Sequence, residues 1–181
     1  MTPELVVFVA VVLAAVAALA WRVAGPPLAA LALAATLASV ALAVALYALS
    51  VETVGRGGLA LGSGFWAFAP DAWHYDAIGR AVLAYWRTGV LPPQHGHPEY
   101  FVLTAAVYGV LGAHPLGPIA LNGLAHGLTV TAGFVVARRL GSPHGAWLAA
   151  GLTAAWPSAL LWSSQLLRDS LTAALLLGLL I

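Results

Sequence analysis

The sequence has no cysteine, no lysine and little charge of either sign. The missing cysteines exclude disulfides and thiol chemistry. Seven arginines are its whole cationic complement, and with a net charge of +1 the chain has no basic patch of the kind nucleic acid requires. Charged residues are only 7% of the 181, against about 25% in an ordinary soluble domain. What is there instead is apolar: 62% of residues are hydrophobic and the mean hydropathy is +0.95. The expected class is an integral membrane protein. A bilayer core about 30 Å thick needs roughly 20 apolar residues per helix, and several such runs occur between short polar breaks. Uninterrupted runs suit helices rather than a barrel. The expected fold is therefore all-α, a polytopic transmembrane helical bundle in the cell membrane.

Leu5 to Val23 reads as one span and Pro27 to Ser50 as a second, joined by the break "WRVAGPP", where Pro26 and Pro27 stop the helix. The residues ahead of Leu5 include Glu4 and no basic residue, which argues for an anchor helix over a signal peptide. Arg22 in the short turn places that turn in the cytoplasm. Both ends of the hairpin then face outside, so residues 51–115, polar and rich in Gly and Pro from Val51 to about Tyr100, are expected to form a long loop on the external face. "GRGG" and "GSG" in it lack the ending of a phosphate-binding loop and read as flexible chain. Residues 101–113 are apolar but about 20 Å long as a helix, too short to cross, so an interfacial or re-entrant helix is expected. Leu116 to Ala137 reads as a full span ending at Arg138 and Arg139 in the cytoplasm. Ala146 to Trp162 returns outward, kinked near Pro157, with Trp147 and Trp162 as interface anchors. The run from Ser170 to Ile181 reads as a last helix cut short. The expected division is a hairpin at 1–50, an external loop with interfacial helices at 51–115, and transmembrane helices at 116–181.

The few ionisable groups gather in "APDAWHYDAIGRAVLAYWRTG", residues 69–89. As a helix starting near Pro70 it puts Tyr75, Ile78, Val82 and Tyr85 on one face and Asp76, Arg80 and Arg87 on another. The second face also fits a solvated helix with an i,i+4 salt bridge. Asp71 falls in the first turn, where the helix dipole favours a carboxylate able to accept a proton or bind a metal. A second external acid, Asp169, follows Arg168 at the start of the last helix, where charge at a membrane boundary calls for a reason. "HGHPE" supplies His95, His97 and Glu99, ligand types that with Asp71 would make a divalent metal site, or else an exposed Pro-rich loop. Asn122 and His126, beside Gly123 and Gly127, read as helix-packing residues.

The order of these elements resembles the C-type superfamily of polytopic glycosyltransferases, in particular bacterial members related to protein O-mannosyltransferases and lipid A aminoarabinose transferases. Asp71 and Tyr75 in "DAWHYDAIGRAVLAYWRTG" look like that family's D-x-x-x-Y element of the first external loop. "HPEYFVLTAAVYGVLGAHPLGPIALNGLAHGLTVTAGFVVARRLGS" is similar to its proline-led interfacial helix and following span, and "WPSALLWSSQLLRDSL" completes the match over residues 64–181. Two departures are a complete hairpin where one span is usual, and the lack of the adjacent acid pair seen in some relatives. The resemblance implies an enzyme that moves a sugar from a polyprenyl-phosphate-linked donor to an acceptor on the external side, the chain being its N-terminal part. It implies Asp71 as the catalytic acid, either base or metal ligand, with Asp169 as a second. Tyr75, Arg80, Arg87 and Arg168 are then the substrate-binding residues, guanidinium suiting two phosphate oxygens at once. Two other functions fit the same residues: a polytopic transporter, whose polar groups would line a path, and a non-catalytic membrane scaffold.

Overall fold

A computed structural model describes residues 3–52, 59–89 and 98–181. These form seven helices and one two-stranded hairpin: α1 (Pro3–Glu52), β1 (Ala60–Gly62), β2 (Phe65–Trp66), α2 (Pro70–Thr88), α3 (Pro98–Leu111), α4 (Leu116–Leu140), α5 (Pro143–Ala155), α6 (Pro157–Ser163) and α7 (Asp169–Gly178). The protein is thus mostly helical, and two helices, Pro3–Glu52 and Leu116–Leu140, are long and apolar enough to cross a membrane.

α1 is two arms rather than one rod. Ala24 leaves the helical region, at φ −148° and ψ 24°, and Gly25 takes φ +73° and ψ −163°, a conformation open to glycine because it lacks a Cβ. Pro26 and Pro27 then remove two backbone donors and hold the residue before them out of the helical region. The arms fold back on each other. Leu5 and Val9 of the first share a cavity wall with Val40, Ala43 and Val44 of the second, and Val16 and Ala20 share a core cluster with Leu28, Ala29 and Ala32.

α4 is the central helix, touching α1, α3, α5, α6 and α7. Its Gly123 and Gly127 form a G-x-x-x-G face that admits the second arm of α1 to backbone contact. A Cβ at Gly123 would lie 3.0 Å from Val40, and one at Gly127 would collide with Thr36 and lie 3.0 Å from both Ala32 O and Val16. Rising numbers on α4 meet falling numbers on this arm, so the two are antiparallel. α5 is antiparallel to α4 as well, with Phe134 stacked edge-on against Trp147 at 4.9 Å and His126 Nε2 donating to Thr153 O at 3.1 Å. α7 runs parallel to α4: Asn122 reaches Leu167 O at 2.7 Å while Arg139 reaches Leu180 O at 3.3 Å.

These directions sort the charges. The Gly25 turn, with Arg22 beside it, lies at the same end of the bundle as Arg138 and Arg139. The end of α1, the β-hairpin, α2, α3, Arg168 and Asp169 lie at the other.

Three local expectations change. "GSG" is not loose chain but the turn of the β1–β2 hairpin, with Gly62, Ser63 and Gly64 at φ 84°, 54° and 92°. The hairpin is tied to α1 because Ser50 Oγ accepts from Gly64 N at 3.1 Å and Trp66 Nε1 donates to Leu46 O at 3.1 Å. The run from Ala146 to Trp162 kinks so strongly that Trp156 is extended, at ψ 118°, separating α5 from α6. The buried side of α2 is Ala72, Tyr75, Asp76, Ile78, Gly79 and Leu83, so Asp76 belongs to the packed face rather than a solvated stripe. "GRGG", at 55–58, lies outside the described residues.

Candidate functional site

The site begins where the hairpin delivers the chain to α2. Pro70 opens the helix at a position that needs no N–H donor, and Gly89 closes it in the left-handed conformation, donating to Tyr85 O at 2.8 Å. Asp71 stands exposed in the first turn. One turn on, Tyr75 is buried, its ring edge-on to Tyr100 at 4.7 Å and tilted against Phe101 at 5.5 Å. These aromatics join Phe65, Ile119, Leu166 and Leu167 in one cluster, which draws together α2, α3, α4 and the segment leading to α7.

α2 is fixed to α3 by a carboxylate. Asp76 accepts from Arg80 Nε at 2.9 Å and from the Tyr108 hydroxyl at 2.5 Å, and the guanidinium lies 5.3 Å over the Tyr108 ring. A buried charge survives when it is paired and hydrogen-bonded, and Asp76 meets both conditions. The helices approach closely beside it, where a Cβ at Gly79 would come within 2.6 Å of Thr104. Burial first, then the hydrogen bond to Asp76 and its charge, push the Tyr108 hydroxyl well above the ordinary phenol value. Arg80 is held in its charged form mainly by the hydrogen bond to Asp76. Arg80 is therefore engaged within the fold.

Removing the Tyr108 hydroxyl tests this lock. Tyr108→Phe should destabilise the protein at neutral pH by about 1–3 kcal/mol, the cost of leaving a buried acceptor short of a donor. A raised phenol contributes stability that is complete below the unfolded value of 10.0 and is lost as pH rises through the folded one. The variant should therefore lose less stability than the parent above pH 10, as read by denaturant unfolding across that range.

The four remaining groups come together from distant parts of the sequence. Burial raises the Tyr75 hydroxyl above its ordinary value, the Arg168 charge opposes this, and the Asp71 and Asp169 charges add to it. One phenol thus feels both acids and the cation, so Asp71, Tyr75, Arg168 and Asp169 share one electrostatic neighbourhood. Asp169 also lies at a cavity of about 250 Å³ between α4, α6 and α7, whose walls include Trp156, Trp162 and His126. Arg87 is not part of this group: it sits exposed in the last turn of α2, about 24 Å along the helix from Asp71 at 1.5 Å per residue.

His95 and His97 lie outside the described residues, as does the side chain of Glu99. Among the described residues no group of three or more His, Cys, Asp or Glu side chains is placed to hold a metal. Asp71 and Asp169 are two carboxylates, which do not by themselves make a ligand set.

Deeper in the bundle, His126 Nε2 must donate to Thr153 O, which leaves Nδ1 to accept from Ser39 Oγ at 2.8 Å, and Ser39 pairs with Ser163 at 2.7 Å. Asn122 donates to Gln165 O and Leu167 O. Sequence reasoning assigned Asn122 and His126 to packing without naming these partners, and it missed Tyr100, Thr104 and Tyr108. The signal for the last three is present: spaced four apart, they put one polar stripe on a helix that reads as apolar.

Comparison of the chain with family models, curated proteins and solved structures finds no match in any of the three.

Proposed function

We propose that the protein is a multi-pass membrane glycosyltransferase that moves a sugar from a polyprenyl-phosphate-linked donor to an acceptor at the external membrane face. The observation that supports this best is that Tyr75, one turn on from Asp71, packs on Tyr100 at 4.7 Å, and the Tyr100 hydroxyl holds the Leu167 carbonyl immediately before Arg168 and Asp169. The bundle end opposite Arg22, Arg138 and Arg139 is the external one on the positive-inside rule. Both arms of α1, then α4, the α5–α6 pair and α7 cross or enter the bilayer, and α2 and α3 lie at its external surface.

In the reaction, the Asp71 carboxylate takes the proton of the acceptor hydroxyl, whose oxygen attacks the anomeric carbon. The bond from that carbon to the phosphate oxygen breaks, and polyprenyl phosphate leaves with the electron pair. Arg168 pairs with the departing phosphate. The Tyr75 phenol, kept protonated, donates a hydrogen bond to the bound sugar phosphate. The cavity beside Asp169 receives the first part of the polyprenyl chain. A transport path is less well supported, because Ser39, Asn122 and Ser163 are buried and hydrogen-bond to one another, to His126 or to backbone carbonyls, and His126, which borders the cavity, is held by Thr153 O and Ser39.

The assay is release of polyprenyl phosphate from a polyprenyl-phosphate sugar by the purified chain in vesicles. Arg168→Ala should raise the donor KM by roughly 10-fold or more, the loss of one charge-assisted phosphate contact. Arg87→Ala should leave it unchanged. Equal effects of the two substitutions would remove Arg168 from this role.

A further inference from the structure

The chain between α6 and α7 leaves the helical path, yet it is buried: Ser164, Gln165, Leu166 and Leu167 are 1%, 2%, 0% and 8% exposed. Non-helical backbone shielded from water needs partners for its carbonyls. Within the segment Gln165 Nε2 donates to Ser164 O at 3.0 Å and Leu167 N to Gln165 O at 2.9 Å; the contacts that tie it to the rest of the fold come from one side chain on α4 and one on α3. Asn122, fully buried, donates from Nδ2 to Gln165 O at 2.6 Å and to Leu167 O at 2.7 Å, with the Tyr100 hydroxyl oxygen at 3.4 Å. The Tyr100 hydroxyl in turn donates to Leu167 O at 3.0 Å.

Two carbonyls two residues apart, held by one amide, fix both the position and the direction of the segment that carries them. The next residues are Arg168 and Asp169. The carbonyl of Leu167 is also the atom through which Tyr100 holds the segment, and the Tyr100 ring packs on Tyr75. Both halves of the candidate site are thus referenced to one backbone oxygen. We infer that Asn122 is a positioning residue, setting Arg168 and Asp169 opposite Asp71 and Tyr75 through the Gln165 and Leu167 carbonyls. It does not touch the reacting groups and acts through the segment it clamps. The inference rests on the functional reading for its purpose, although the placement itself can be measured without activity.

The cysteine-free sequence makes that measurement direct. Spin labels on His74→Cys and Thr172→Cys, both exposed, report the separation of α2 and α7 in the full chain in lipid vesicles. Labels on Leu19→Cys and Leu148→Cys, also exposed, report the α1–α5 body as a control. Asn122→Leu keeps nearly the side-chain shape and removes both donations. In this background the His74–Thr172 distance distribution should lose its narrow peak while the control pair keeps its own. Tyr100→Phe, which removes one of the two donors to Leu167 O, should broaden the first pair less. An unchanged His74–Thr172 peak in Asn122→Leu would overturn the inference. Equal broadening of both pairs would also overturn it, showing Asn122 to be a general packing residue. Absence of sugar transfer in the parent chain would count against the enzymatic reading alone and leave the distance result standing.

Discussion

Asp71→Asn should abolish most sugar transfer, by roughly 10²- to 10⁴-fold, the range expected for removing a general base, while the protein inserts and folds as before. The side chain is exposed in the first turn of α2, so replacing carboxylate by amide leaves no buried group without a partner. Its attraction to the helix dipole is worth only about 0.3–1 kcal/mol at such a position. Asp76 is the contrasting acid, five residues on. It is tied to Arg80 and Tyr108, and Asp76→Asn would break the ion pair; because the Arg80 side chain is 43% exposed and can turn to water, the cost is below the about 3–5 kcal/mol of a fully buried pair. Activity lost with the fold intact belongs to Asp71, and stability lost first belongs to Asp76. Turnover of Asp71→Asn near the parent's, at normal protein levels, would mean that its carboxylate has no part in the chemistry.

Gly127→Leu should prevent α1 from docking on α4. A Cβ at this position collides with the Thr36 hydroxyl and lies 3.0 Å from the Ala32 carbonyl oxygen, which is backbone and cannot swing aside. Thr36 is itself held to that carbonyl at 3.0 Å, so the neighbour most in the way is also fixed. Overpacking a well-filled interface typically costs about 1–3 kcal/mol and occasionally more, and a full leucine side chain against backbone belongs at the upper end. Gly151→Leu on α5 is the control, because nothing lies within 4 Å of its Cβ direction; there the better helix propensity should be neutral or stabilising by up to about 1 kcal/mol. Thermal unfolding in detergent, followed by size-exclusion chromatography, separates the two. Similar melting of both variants would show that the α1–α4 contact tolerates separation.

Much of the helical layout is legible in the sequence because its signals are local. Gly25 with Pro26 and Pro27 marks the turn of α1, Pro70 and Gly89 bracket α2, and Gly123 with Gly127 marks the face on which another helix must pack. Arg22, Arg138 and Arg139 fall at one end of the bundle. What periodicity does not show is who pairs with whom across the fold. Asp76 has a visible partner four residues away in Arg80, but its second, Tyr108, is 32 residues distant, and that bond is why the carboxylate can be buried. The hairpin at Ala60–Trp66 was hidden because "LALGSGFW" is too short for a strong alternation, and its anchor, Ser50, lies at the end of the preceding helix. Asn122 stood out as polar in an apolar helix, but its acceptors are backbone carbonyls, which carry no signature in the sequence. Of the candidate site, Asp71, Tyr75, Arg168 and Asp169 come together, whereas Arg80 is engaged by Asp76 and Arg87 stands apart.

The most direct test is to locate the donor on the protein. A polyprenyl-phosphate sugar carrying a photoreactive group next to the phosphate, irradiated with the purified chain in vesicles and mapped by mass spectrometry, should attach within α2 near Asp71 and Tyr75 and within the segment around Arg168 and Asp169. Unlabelled donor should compete for both positions, and Arg168→Ala should remove both. Attachment confined to the lipid-facing sides of α1 and α5, or attachment at the site that unlabelled donor does not displace, would contradict the assignment of this site to a lipid-linked sugar.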